Sequence, residues 1–108
     1  MILFEEQLEL SKEGPFPARI FLSKEQSSEA SVKVGTLEVG KEIPVHSHED
    51  TSQLEYYLDG EAVLYVEGIG EKKIESGAFM YAPRGVKHGI RNVTKPLKIY
   101  AVFVPASF

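Results

Sequence analysis

Short runs rich in β-branched and aromatic residues recur along the chain, and no segment places apolar residues convincingly at helical spacing. The runs LKIYAVFV and EAVLYVEG are apolar on both faces, as buried strands are. Turn signals separate such runs about every 8–12 residues, a spacing typical of sandwiches and barrels. The segment SKEQSSEA has no apolar residue before its final Ala30, so we expect a solvated loop there. The sequence therefore predicts an all-β fold.

Two finer features of the strand pattern give local predictions. The run SVKVGTLEV alternates, but its apolar parity shifts across Gly35 and Thr36, which predicts a β-bulge. The run EGIGEKK places two glycines between strands and predicts a hairpin.

Composition and charge narrow the classes of function. Sixteen acidic residues against 12 basic ones give a net charge of −4, and no basic cluster suited to nucleic acid is present. The absence of cysteine excludes a disulfide framework, a thiolate metal site and a cysteine nucleophile. No apolar run approaches the length of a membrane span, and the first ten residues carry acids where a signal peptide would carry positive charge. We expect one cytoplasmic domain over residues 1–108, without nucleic-acid or membrane partners.

Two of the three histidines, His46 and His48, are separated by one residue. Residues i and i+2 of a strand share a face, so we expect both imidazoles to point the same way. The third histidine is His88. Three histidines in a mostly β chain favour a metal site, but such pairs also occur on exposed strands, and spacing alone leaves both interpretations open.

Ten positions around these histidines resemble the two motifs of the cupin family. The first motif, G-x5-H-x-H-x4-E-x6-G, is matched by Gly40, His46, His48, Gln53 and Gly60, with glutamine where the family usually has glutamate. The second, G-x5-P-x-G-x2-H-x3-N, is matched at all five positions by Gly77, Pro83, Gly85, His88 and Asn92. The resemblance implies a small barrel of the double-stranded β-helix type with a metal held inside it.

The resemblance also implies the ligand set His46, His48, Gln53 and His88. Imidazoles suit iron, nickel, zinc and copper, while an amide oxygen suits harder ions such as manganese, so we expect a divalent transition metal without its identity. Because glutamine leaves the full 2+ charge on the ion, binding should be weaker and a bound oxygen more strongly polarised. The alternative is that Gln53 marks decay toward a metal-free barrel.

Gln53, Glu55 and Tyr57 share one face of the strand predicted for QLEYY. Glu55 should then point into the barrel near the metal, where a carboxylate can act as a general acid or base. Two alternatives remain, since Glu55 can face solvent or can replace Gln53 as the oxygen ligand. For Tyr57 we expect core packing, with its hydroxyl bonded at the rim.

Three cations are candidates for binding an acid group. Arg84 and Lys87 flank Gly85 beside His88, at one expected end of the barrel, where they can attract an anion. Arg19 lies in the apolar run FPARIFL and needs a partner, either a carboxylate of the protein or an acid group on a ligand.

The function that we expect is a metal-dependent enzyme acting on a small polar or carboxylate-bearing, sugar-like substrate by Lewis-acid lyase or isomerase chemistry. Glutamine at position 53 resembles the small cupins of pectin and alginate breakdown, which convert unsaturated uronate sugars to keto acids. A metal-dependent dioxygenase is an alternative, because three-histidine iron dioxygenases occur among cupins. A non-catalytic barrel that binds a small molecule and an inert barrel are the others, since fold alone does not select an activity.

The terminal segments MILF and YAVFVPASF are more apolar than a small monomer needs. The resemblance to cupins implies dimers, often built by exchange of N-terminal strands. We therefore expect a homodimer in which the N-terminal strand covers an edge of the partner's sheet.

Overall fold

The computed structural model describes residues 1–108 and is built almost entirely of β-strands. The strands are β1 (Ala18–Leu22), β2 (Ser31–Leu37), β3 (Ile43–His46), β4 (Ser52–Val66), β5 (Gly70–Glu75), β6 (Phe79–Ala82) and β7 (His88–Val104). A single 3-10 turn, Glu5–Gln7, precedes them. The prediction of an all-β fold is confirmed. None of the helical structure has the length and apolar character that crossing a bilayer requires.

The strands form two layers, and two long strands, β4 and β7, pass through both of them. The first part of β4 pairs with the last part of β7, and together with β1, β2 and β6 they form one layer. The second part of β4 and the first part of β7 continue into the opposite layer beside β3 and β5. All pairings are antiparallel, and the resulting barrel confirms the predicted double-stranded β-helix.

The pairing of β4 with β7 shifts register where the two strands pass from one layer to the other, between Tyr57 and Val63. Gly60 lies in this segment with a φ of +107°. A Cβ at that position would stand 2.3 Å from the carbonyl oxygen of Pro96 on β7. Gly60 therefore allows β4 to bend while the strand continues.

The hydrophobic core fills the space between the layers, and its largest fully buried side chains are Tyr57, Leu37, Leu97 and Ile99. The predicted hairpin joins β4 to β5 through residues 67–69. The β-bulge predicted at Gly35 is wrong, because β2 pairs with β7 in unbroken register from Ser31 to Leu37. The irregularity lies in the neighbouring strand β1, between Ile20 and Leu22.

Candidate metal centre

The three histidines come together at one end of the barrel. His46 is the last residue of β3 and lies directly opposite His88, the first residue of β7. His48 lies two residues beyond the end of β3, so it is placed by a loop, although the sequence predicted one strand face for both. Ring centroids are 4.5 Å apart for His46 and His88, and 4.9 Å for His46 and His48.

Each imidazole offers a ring nitrogen, and the three nitrogens lie within 4.8 Å of one another. Nδ1 of His46 is 2.8 Å from the carbonyl oxygen of Pro44, and Nδ1 of His88 is 3.1 Å from that of Val86. A neutral imidazole has one N–H, so donation from Nδ1 leaves the Nε2 lone pair free for a metal. Nε2 of His48 is buried without a hydrogen-bond partner. This donor set fits a divalent transition ion.

Gln53 completes the cluster from the second position of β4, where it is buried. Its amide nitrogen donates to Oε2 of Glu55 at 2.7 Å, which turns its oxygen Oε1 toward Nε2 of His88 at 2.9 Å. If Nδ1 of His88 carries the proton, two acceptors face each other across that gap. A cation between them satisfies both, and this contact is a second sign that the site suits a metal.

Glu55 contacts the amide nitrogen of Gln53, whereas the amide oxygen of Gln53 faces His88. The other oxygen of Glu55, Oε1, accepts a hydrogen bond of 2.6 Å from the hydroxyl of Tyr57. Burial raises the pKa of Glu55 above its usual range, while the hydrogen bonds from Tyr57 and Gln53 oppose that rise. Glu55 therefore does not face solvent, and both of its oxygens are occupied by neighbours in the wall of the barrel.

Tyr57 is fully buried, so the expectation that its hydroxyl is bonded at the rim is wrong. Burial is the main cause of a raised pKa for this phenol, and the neighbouring charge of Glu55 adds to it. The phenol therefore remains protonated and donates to Glu55.

Burial also lowers the pKa values of two histidines, His48 and His88. The neighbouring His46 lowers both values further, while the hydrogen bond of His88 to the carbonyl oxygen of Val86 partly offsets the effect of burial on that ring. Both shifts favour the neutral imidazole, which is the form that binds a metal.

The cluster opens into a cavity of about 600 Å³. The cavity wall includes the three histidines, Gln53 and Glu55, and also aromatic residues near β1, on β7 and at the C-terminus. Lys33 of β2 also lines the cavity, a position that the sequence pattern does not indicate. Because Lys33 stands between Val32 and Val34, the alternation of apolar and polar residues in β2 predicts that its side chain faces water. No other feature of the sequence indicates otherwise.

The cations that the sequence did single out lie elsewhere. Arg84 and Lys87 are exposed and do not line the cavity. Arg19 is partly buried in β1, and its Nε donates to the carbonyl oxygen of Leu8 at 3.0 Å. The required partner of Arg19 is thus a backbone carbonyl, which was not among the expected alternatives.

The cupin domain family matches residues 33–103, which include both histidine motifs and all four residues of the cluster. This chain belongs to the cupin family. Among curated proteins, no match is found for this cupin.

Solved structures agree with that assignment. KdgF from Halomonas sp. superposes with a TM-score of 0.87 at 17% identity, covering 99% of this chain and 96% of that one. A predicted oxalate decarboxylase from Thermotoga maritima gives 0.81 at 22% identity, with coverages of 97% and 99%. An RmlC-like cupin from Shewanella frigidimarina gives 0.82 at 26% identity, with coverages of 97% and 90%. These likenesses show that the cupin fold extends over nearly the whole chain.

Proposed function

We propose that this cupin is a metal-dependent enzyme that acts on a small polar or carboxylate-bearing, sugar-like substrate by lyase or isomerase chemistry. The observation that supports it best is the convergence of His46, His48, His88 and Gln53 in the wall of one cavity. A cavity of about 600 Å³ lies within the range of small-molecule sites.

These four residues would hold a divalent transition ion, which would supply a Lewis acid for a substrate oxygen. The protein's own part is to fix the ligands. The carbonyls of Pro44 and Val86 orient two imidazoles, and Glu55 holds the amide of Gln53 with its oxygen toward His88. Such outer partners set the orientation and basicity of metal ligands.

Glu55 is also the residue that we propose as the proton carrier. Its raised pKa leaves a larger fraction of Glu55 protonated, and so able to donate a proton, than in an ordinary glutamate at the same pH, and it lines the cavity. An enol-to-ketone isomerisation moves one proton from a hydroxyl to a carbon atom, so it balances without an oxidant. Glu55 in its protonated form can give its proton to the carbon atom and take up the hydroxyl proton in its place, while Tyr57 keeps the carboxyl group in position.

The first test is elemental analysis of the purified protein and of His48→Ala. We expect about one transition-metal ion per chain in the parent, most of it lost in the variant, and unchanged circular dichroism. The ligands are not among the 17 buried residues of the hydrophobic core, so the fold should persist. A parent without metal after incubation with Mn²⁺, Fe²⁺, Ni²⁺, Zn²⁺ and Cu²⁺, or a variant that binds as tightly as the parent, contradicts the metal site.

The second test is turnover of an unsaturated uronate by the metal-loaded protein, followed by loss of the absorbance of its conjugated double bond. Glu55→Gln should retain most of the metal and lose most of the turnover. Oxygen consumption should stay at the level of the buffer. Oxygen uptake coupled to substrate loss would replace the isomerase proposal by a dioxygenase, and full activity after metal removal would contradict the Lewis-acid role.

A further inference from the structure

Lys33 is a buried cation for which the proposed chemistry has no role. It lies in β2 with only 9% of its surface exposed, and it lines the same cavity as the histidine cluster. Neither the salt bridges of the chain nor its side-chain hydrogen bonds involve this residue. A buried charge without a partner is costly, so a lysine in this position calls for an anion.

Three aromatic rings surround the ammonium group. Its Nζ lies 4.9 Å from the centroid of Phe16, 5.2 Å from Phe108 and 5.7 Å from Phe103. Ring faces attract a cation, but they accept no conventional hydrogen bond from its three N–H groups. The aromatic surroundings thus hold Lys33 in place and leave its donors available.

The carboxylates near the cavity do not neutralise Lys33. Glu55 is close enough to raise its pKa, but the two form no salt bridge, and burial is the larger effect and lowers that pKa. Both oxygens of Glu55 already accept hydrogen bonds from Gln53 and Tyr57. Glu13 lines the cavity but is exposed. The wall therefore presents one cation whose donors are free, in the same cavity as the proposed metal ligands.

We propose that Lys33 binds the carboxylate of a small organic acid whose polar remainder reaches His46, His48 and His88. A carboxylate accepts charge-assisted hydrogen bonds from an ammonium group, and exclusion of water strengthens them. The rings of Phe16, Phe103 and Phe108 offer an apolar surface for the carbon skeleton of the ligand. This assignment rests on the proposed function, because it takes the cavity to be the substrate site. It adds that the charged end of the substrate binds at Lys33.

The test compares a carboxylate ligand with its neutral amide. D-glucuronate and D-glucuronamide are titrated by calorimetry into the parent, Lys33→Met and Lys33→Gln, each with and without Mn²⁺. Lys41→Met serves as the matched control, because Lys41 is exposed, forms no salt bridge and lies outside the cavity. Circular dichroism checks the fold of each variant.

We expect the parent and Lys41→Met to bind glucuronate more tightly than glucuronamide. Both Lys33 variants should bind glucuronate about tenfold or more weakly and lose the preference, while binding of glucuronamide and of Mn²⁺ changes little. A preference that survives in a folded Lys33 variant overturns the assignment, and so does a parent without preference. If the parent protein prefers glucuronate in the absence of Mn²⁺ but never binds Mn²⁺, the anion site at Lys33 is supported and the metal-dependent function is refuted.

Discussion

At the level of single residues, Gln53 and Glu55 form an amide–carboxylate pair that a single substitution converts into two carboxylates. Gln53→Glu should bind a divalent ion more tightly, because a carboxylate neutralises part of its charge. It should also polarise a substrate oxygen less and slow turnover. The two carboxylates would stand where the 2.7 Å hydrogen bond now lies, so one must hold a proton. Metal titration by calorimetry together with turnover measures both effects.

The double variant Gln53→Glu/Glu55→Gln is the matched control for the repulsion between the two carboxylates of the single variant. It exchanges the two groups and restores an amide that donates to a carboxylate, now with the carboxylate beside His88. We expect it to bind metal more tightly than the single variant. Equal or weaker binding by the double variant would show that the hydrogen bond between positions 53 and 55 does not orient the ligand.

Proton competition gives a second prediction for the same cluster. A metal binds neutral imidazole, and burial lowers the pKa values of His48 and His88 below the usual value of about 6.5. Lowered pKa values keep the rings neutral further into the acid range, so metal binding should persist at pH 6.5 and weaken at lower pH. Titration of Mn²⁺ across pH 5 to 8, with circular dichroism as the control for folding, tests this. Loss of binding already above pH 6.5 would contradict it.

The residues of the cluster could be predicted from the sequence, because strand alternation and motif spacing both follow from the geometry of the backbone. Alternation placed Gln53, Glu55 and Tyr57 on one buried face, as the structure shows. What spacing does not contain is the hydrogen bonding between side chains. The sequence therefore left open which of Gln53 and Glu55 faces the ion, whereas their contacts favour Gln53.

At the level of elements, β2 shows why an alternating pattern does not always reveal the inward face. Lys33, Val34 and Gly35 are all buried, so the strand is covered on both sides. The shift in apolar parity at Gly35 reflects close packing, because a Cβ there would meet the ring of Phe16 and the carbonyl oxygen of Pro17. Polarity alone thus predicted a bulge and missed Lys33.

The bend shared by β4 and β7 depends on Gly60. Gly60→Ala should destabilise the fold by about 3 kcal/mol or more, because a positive φ adds strain and the new Cβ overlaps the backbone of β7. Gly68→Ala is the control, since Gly68 also has a positive φ but no atom near the position of a Cβ, and it should cost only about 1–2 kcal/mol. Urea unfolding measures both, and equal losses would contradict the role of the close approach.

At the level of the whole molecule, one outer surface of the barrel is unusually aromatic. Tyr56 of β4 is paired with Phe79 of β6 on one side and with Tyr100 of β7 on the other, and all three are exposed. Tyr81, also exposed, lies two residues beyond Phe79 on the same face. An apolar patch of this kind marks an interaction surface in a small protein. We call these four residues the outer aromatic face.

The N-terminal segment is a second apolar surface without cover. Met1, Ile2 and Phe4 are exposed and belong to no strand of their own chain. β1 lies at the end of the strand order, so most of one of its edges lacks a partner strand. An unpaired edge and an unpaired apolar segment in the same chain suit exchange between two copies, in which each N-terminus covers the sheet of the other.

We therefore propose a homodimer built on the outer aromatic face and the N-terminal segment. Light scattering at micromolar concentration should give about twice the chain mass of 12.0 kDa. Tyr81→Glu places a charge in the proposed interface and should yield a folded monomer, as should removal of residues 1–4. Val39→Glu, at an equally exposed apolar residue outside both surfaces, should remain dimeric. Because Tyr81 and the histidine cluster lie on opposite faces of the sheet, the monomeric variant should keep its metal affinity. A monomeric parent would contradict the assembly and leave the metal centre unaffected.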